Sequence, residues 1–370
     1  MNTIYHYEYI IQRNSFETYD ERSIVCVLIY ISITILGVMS NIVTKAHRAL
    51  VEPETVEPFV RTSLLTGRRH ICQYRLGPLL GGITGTLFGS NLYLNYLSWT
   101  NGKQPVEREI EGSVMFLDPE MRGISQDLLM YGVREELSKE LFVEQLHWLM
   151  ETRAGDITVL EVGANIGYYP LLEALVLGSR ANVLAFEPDP RNIRLLRRSI
   201  ERNEYGDRIS VEQTAIGAED NVELDFNLAE HSNKNHVECL TDNVSWETVE
   251  QITVTQQTIS TILERESLPP NAVDVIRMDI EGYEANVFRG MADVLEASHP
   301  MVIFIELHPL RMDDEYFWLL SRLEECGFEI VAGTRMLPSG PEWYEEIVPT
   351  DTYDQLREQE HGGHLILRRE

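Results

Sequence analysis

Lysine is scarce in this sequence. Lys45, Lys103, Lys139 and Lys234 are the only lysines among 31 basic residues, which face 59 acids for a formal net charge of −28. Phosphate binding draws on clustered lysine and arginine, so nucleic acid is excluded as an expected partner. Few lysines among many acids is a halophile-like pattern in which strong charge serves solubility. Cysteine is equally rare. Cys26, Cys72, Cys239 and Cys326 lie far apart with no Cys-x-x-Cys pair, which argues against a zinc site or a disulfide framework. No residues are assigned to a metal. Internal repeats and low-complexity tracts are also missing. So is the Gly-x-Gly-x-x-Gly dinucleotide fingerprint: Asn165 occupies its middle position, and no pyrophosphate turn is written.

What is present is an apolar strand that runs into small residues, Val159-Leu160-Glu161-Val162-Gly163-Ala164-Asn165-Ile166-Gly167-Tyr168-Tyr169. Gly163 and Gly167 allow backbone to approach a ligand closely, and Pro170 suits the first turn of a following helix. A second apolar run, Val183 to Phe186, ends in Glu187-Pro188-Asp189-Pro190, with Asp189 as expected N-cap and Pro190 at the first helical position. An acid at the tip of the second strand is where doubly wound folds hydrogen-bond a ribose diol, so Glu187 reads as the ribose ligand. Glu161 would repel a phosphate but suit the ammonium and sulfonium groups of S-adenosylmethionine. The pair of acids therefore points to that cofactor.

Four ordered motifs resemble the FkbM methyltransferase family across roughly residues 106 to 369. They are Glu161 to Tyr169, Phe186-Glu187-Pro188, Asp274 to Glu284 containing Asp279-Ile280-Glu281-Gly282, and Ile305-Glu306-Leu307-His308-Pro309. The resemblance implies an α/β class I methyltransferase (Rossmann-like) fold, a parallel sheet with an antiparallel last strand. It also implies S-adenosylmethionine as cofactor and O-methylation as the activity. Thr258 to Thr261 departs from the family pattern, where relatives often carry an acid.

Along the chain, residues 1–48 read as a tail, 49–105 as a hydrophobic helical extension and 106–370 as the methyltransferase domain, with its Rossmann-like core at about 156–369. Ile24 to Val43 is uncharged and long enough for one transmembrane helix. The basic residues that follow it place the catalytic domain in the cytoplasm and the N-terminus outside. A rival reading starts the protein at Met39, because residues 1–38 lack alanine and differ in composition from the rest; the protein is then soluble. Leu76 to Gly102, also uncharged, reads as a buried or interfacial segment rather than a second span. From Val106 a small β-rich lead-in and helices through Met150 are expected to cover the cofactor site. Strands are expected at Ile157–Val162, Asn182–Phe186, Ile209–Ala215, Ile252–Gln256, Val273–Met278 and Met301–Leu307, alternating with helices as in a parallel sheet. An antiparallel pair, Phe328–Val331 and His364–Leu367, closes it.

Methyl transfer to oxygen requires positioning of the reactants and a base, at the carboxyl ends of the strands. Asp279, Glu281 and His308 are the expected catalytic residues, with Glu306 beside His308. Glu161, Gly163, Asn165, Gly167, Tyr168, Glu187, Pro188, Ala215 and Asp279 are the expected cofactor contacts. The leading reading is an S-adenosylmethionine-dependent O-methyltransferase acting on a hydroxyl of a small molecule, sugar or lipid-linked glycan. A nicotinamide-dependent oxidoreductase and a non-catalytic, membrane-tethered cofactor-binding scaffold are the alternatives.

Overall fold

The computed structural model describes residues 76–88, 90–229, 231, 235–237, 248–312, 314–336, 345–350, 352–358 and 362–370. The uncharged run Ile24 to Val43 and Met39 lie outside the described residues. The chain divides into two compact units, 1–79 and 80–370.

The uncharged stretch after Leu76 forms two short helices, α1 (Leu76–Phe88) and α2 (Leu92–Thr100), of 13 and 9 residues. At about 1.5 Å per residue neither approaches the ~30 Å of a bilayer core. No helix among the described residues is long and apolar enough to cross a membrane. The lead-in follows as a hairpin of β1 (Val106–Ile110) and β2 (Ser113–Leu117), then α3 (Ile124–Tyr131) and α4 (Glu136–Thr152). Glu111 and Gly112 turn the hairpin with positive φ at both positions, the signature of a tight two-residue turn.

The Rossmann-like part begins with β3 (Ile157–Val162), α5 (Tyr168–Leu177), β4 (Ala181–Phe186), α6 (Pro190–Arg202) and β5 (Ile209–Glu212). Asp189 caps α6 as expected, accepting a hydrogen bond from the Arg191 amide at 2.8 Å. The helix buries Ile193, Leu196 and Ile200 and exposes Arg194 and Arg197 on the opposite face. Next come the short strands β6 (Ala215–Ile216), β7 (Val222–Ala229), β8 (His236–Val237) and β9 (Thr248–Gln257), then α7 (Ile259–Arg265). The chain closes with β10 (Val273–Met278), α8 (Glu284–Arg289), α9 (Ala292–Glu296), β11 (Met301–Leu307), α10 (Pro309–Met312), α11 (Asp314–Glu325), β12 (Glu329–Met336), β13 (Glu345–Val348), α12 (Tyr353–Arg357) and β14 (Gly363–Arg369).

Eight strands make the main sheet in the order β13-β12-β14-β11-β10-β3-β4-β5. The strands from β5 across to β11 run parallel, and β14 is antiparallel to both its neighbours. A reversed last strand inserted beside β11 is the class I methyltransferase order. β3, β10 and β11 are almost wholly buried, as near-continuous apolar strands covered on both faces should be.

Two expectations are corrected. Ile252 to Gln256 lies in β9, which belongs to a separate four-stranded sheet, β6-β9-β7-β8, not to the main one. Most of β9 is solvent-exposed, on both faces over its first four residues, a pattern incompatible with a strand covered on both faces. The lead-in packs against α6 rather than over the cofactor cleft: the Phe116 amide donates to Ser199 Oγ at 3.0 Å and the Val114 amide to Asn203 Oδ1 at 2.9 Å. At Thr258, where an acid was missing, the threonine caps α7 and Asp220 supplies the carboxylate from another segment, accepting from the Thr258 amide at 2.8 Å.

Candidate cofactor cleft and carboxylate cluster

At the carboxyl ends of β3, β4 and β10 the chain turns outward, and a cleft opens there. Gly163, Asn165, Glu187, Pro188, Ala215, Asp279 and Glu281 line it. These are seven of the residues expected at the site. Gly163 has φ +84, and a Cβ on it would stand 2.3 Å from the Asp279 carbonyl oxygen, so the β3 and β10 turns approach each other too closely for any side chain. Asn165, also left-handed at φ 49, presents its amide to Glu187.

Glu187 is held at the tip of β4 by two backbone amides, Asn165 to Oε2 at 2.8 Å and Asp189 to Oε1 at 2.8 Å. It is only 4% exposed. Burial, then the charge of Asp189, pushes its pKa up to about 7. The smaller sheet and its flanks supply another wall, where Phe226, Asn235 and Val237 line the cleft with Thr214, Ala215 and Ile216. Asn235 Nδ2 donates to Asp189 Oδ2 at 2.9 Å, tying that wall to the start of α6.

Three expected cofactor contacts are placed elsewhere. Glu161 is fully buried and hydrogen-bonded by Arg277 Nη1 at 3.1 Å. The parallel register sets Glu161 beside Arg277, so the two side chains leave the sheet on one face, behind the cleft. Burial pushes Glu161 up to about 7 against the pull of Arg277. Tyr168 is core, its hydroxyl donating to the Arg134 carbonyl at 3.0 Å. Gly167 packs on α6: a Cβ there would stand 2.4 Å from Leu196 Cδ1.

Asp279, Glu281 and His308 come together, with their ligating atoms within 4.8 Å of one another. Asp279 accepts from Arg277 Nη2 at 3.4 Å. Burial, then the charge of Glu306, pushes its pKa up to about 6. His308 stands between two carboxylates, Nε2 at 3.1 Å from Glu281 Oε2 and Nδ1 at 3.0 Å from Glu284 Oε1. Burial alone would lower its pKa, but the hydrogen bond and charge of Glu281, followed by Glu284 and Glu306, hold it well above the usual histidine value. Glu284 holds Nδ1, and the carboxylate of Glu281 beside Nε2 favours the protonated ring, so His308 is not poised as the expected base. Glu281 does not cap a helix either: it sits in a turn at φ 61, contacts Arg311, and α8 begins only at Glu284.

Sequence reasoning missed several residues here. Arg277 carried a signal, a charged side chain inside the largely apolar run Val273 to Met278; it reaches Glu161 and Asp279 and stacks 4.1 Å over the Tyr169 ring. Glu173, fully buried in an apolar helix, carried the same signal; burial and the nearby Glu161 push its pKa well up. Phe226, Asn235 and Val237 carried none, because nothing local, not even the alternation of Val222 to Leu228, says which distant strand end a segment will meet.

Residues 161–330 match the family model described as Methyltransferase FkbM domain. Over these residues the chain is similar to the FkbM methyltransferases, an S-adenosylmethionine-dependent class. No curated protein matches the chain. Among solved structures, the methyltransferase FkbM from Methylobacillus flagellatus KT is 16% identical over 59% of this chain and 44% of that one, with a TM-score of 0.36. This chain thus spans less than half of that relative. The P. horikoshii TYW2 structure in complex with MeSAdo is 14% identical over 75% of this chain and 80% of that one, TM-score 0.37. A SAM-dependent O-methyltransferase from Thermotoga maritima is 12% identical over 62% of this chain and 63% of that one, TM-score 0.31.

Proposed function

We propose that the cleft binds S-adenosylmethionine and that the enzyme methylates a hydroxyl of a neutral small molecule, sugar or lipid-linked glycan. One observation carries the reading. Among the described residues the cleft lining contains three carboxylates, Glu187, Asp279 and Glu281, and no lysine or arginine. The pyrophosphate of a nicotinamide dinucleotide would meet like charge there, whereas a sulfonium and an ammonium would meet the opposite sign. The donor set fits the cofactor: Glu187 is braced on two amides at the position that suits a ribose diol, and Ala215, Phe226 and Val237 make an apolar slot suited to an adenine.

When bound, the cofactor supplies an electrophilic methyl group; the S–CH3 bond breaks as the O–CH3 bond forms, leaving S-adenosylhomocysteine, a methyl ether and a proton. Asp279 and Glu281 orient the hydroxyl and the carboxylate cluster receives its proton, the positioning and base roles this reaction needs. The same negative lining disfavours phosphorylated acceptors. A cofactor-binding scaffold has no use for this cluster beside the cleft, which favours the catalytic reading over it.

Calorimetric titration with S-adenosylhomocysteine and with NAD tests the proposal. Binding of the first alone is expected. Glu187→Ala should weaken it by about 1.5 to 3 kcal/mol for each charge-assisted bond lost. NAD binding, or an affinity unmoved by the substitution, would remove the cleft or Glu187 from the role.

A further inference from the structure

The geometry points to a site for a first-row divalent cation on Asp279, Glu281 and His308, at the edge of the cleft where the acceptor hydroxyl is received. This rests on the proposed reading of the cleft and says how the hydroxyl is held there. Two carboxylates and an imidazole are a mixed oxygen–nitrogen donor set, which suits manganese, iron or zinc better than calcium. Their ligating atoms lie within 4.8 Å of one another. Ligands on opposite sides of an ion at about 2.2 Å each stand roughly 4.4 Å apart, so a closure of a few tenths of an ångström completes the site.

Glu281 meets both Arg311 and His308 through Oε2, which leaves Oε1 for an ion. Glu306 Oε1, 3.7 Å from His308 Nε2, is placed to add a fourth ligand.

The second observation is Glu284. It is fully buried on α8, and its Oε1 meets His308 Nδ1 at 3.0 Å. Its other oxygen, Oε2, has no hydrogen-bond partner. Metal-bound histidines characteristically donate their second ring N–H to a carboxylate, which fixes the tautomer and leaves the other nitrogen toward the ion. Glu284 makes that contact and directs Nε2 to the side of Glu281 and Glu306. A buried carboxylate costs several kcal/mol to desolvate, and orienting a metal-binding imidazole accounts for its place here. An ion so held would bind the acceptor oxygen and make its hydroxyl more acidic, releasing the proton as the new O–CH3 bond forms.

Mn2+ added to the full chain, free of other ligands, tests the site by electron paramagnetic resonance. Saturable binding of one Mn2+ per chain is expected, with electron spin echo modulation from a directly bound nitrogen that disappears in His308→Gln. Glu284→Gln should weaken binding by about 10- to 100-fold, the effect typical of such an orienting partner. Circular dichroism checks that each variant folds, and the nitrogen signal in the unaltered protein tests the site even where a variant does not. No saturable binding at millimolar Mn2+, or a bound ion without the nitrogen signal, overturns the proposal. A parallel titration with S-adenosylhomocysteine separates the failures. If that ligand binds and Mn2+ does not, the cation site falls and the methyltransferase reading stands; the reverse result sinks the cofactor reading alone.

Discussion

Arg277 is the side chain on which the buried charges behind the cleft converge. It is 5% exposed, hydrogen-bonds Glu161 and Asp279, and lies over the Tyr169 ring. Removing one partner of a buried ion pair typically costs about 3 to 5 kcal/mol, because the other charge is left without compensation. Arg277→Met should therefore lower stability by that order in urea denaturation, although methionine fills much of the same space. A loss below about 1 kcal/mol, the range of exposed pairs, would show that Glu161 and Asp279 do not depend on it. Glu161 shows how a residue is misread at this scale. Its type and place in the motif suit a cationic ligand, but its charge is met by a partner 116 residues away, and no local pattern announces that distance.

Single elements behave as their end residues dictate. Asp189 is fully buried at the start of α6, where it caps the Arg191 amide, pairs with the Arg191 guanidinium at 2.8 Å and holds Asn235. Loss of an N-cap costs about 0.5 to 2 kcal/mol. Asp189→Ala should reach or exceed the top of that range, because Asn235 and Arg191 lose their acceptor as well; thermal melting reads it. A cost below about 0.5 kcal/mol would reduce Asp189 to a surface cap. The cap and the helix phase of α6 were legible in Asp189-Pro190 and in the spacing of Ile193, Leu196 and Ile200. The sheet to which β9 belongs was not legible. Its alternation identifies a strand, but partner choice depends on β7, which pairs with it along its length.

Across the whole molecule, several carboxyls are buried with raised pKa values: Glu161 and Glu187 at about 7, and Glu173 also well up, each chiefly through burial. In the unfolded chain such groups titrate near 4.3. Between these values the folded state keeps protons that the unfolded state has lost. The stability these groups contribute is therefore fully present below about pH 4.3 and is lost as pH rises through about 7. Without ligand, the melting temperature should fall from pH 5.5 to pH 8. A melting temperature that rises across the same interval would mean that these carboxyls are ionised and satisfied in the folded state.

By itself the sequence determined the parallel strands β3, β4, β10 and β11, the glycine turn at Gly163, the acid at the tip of β4 and the cap of α6. Each follows from residues within a few positions of one another, through apolar periodicity, permitted φ or a local hydrogen bond. Tertiary structure alone decided which face of β3 carries Glu161, the union of Asp279, Glu281 and His308 with Glu284, and the wall that the smaller sheet lends the cleft. Those outcomes depend on strand register and on charge compensation between segments tens to more than a hundred residues apart, where burial makes an unpaired charge costly enough to select the partner.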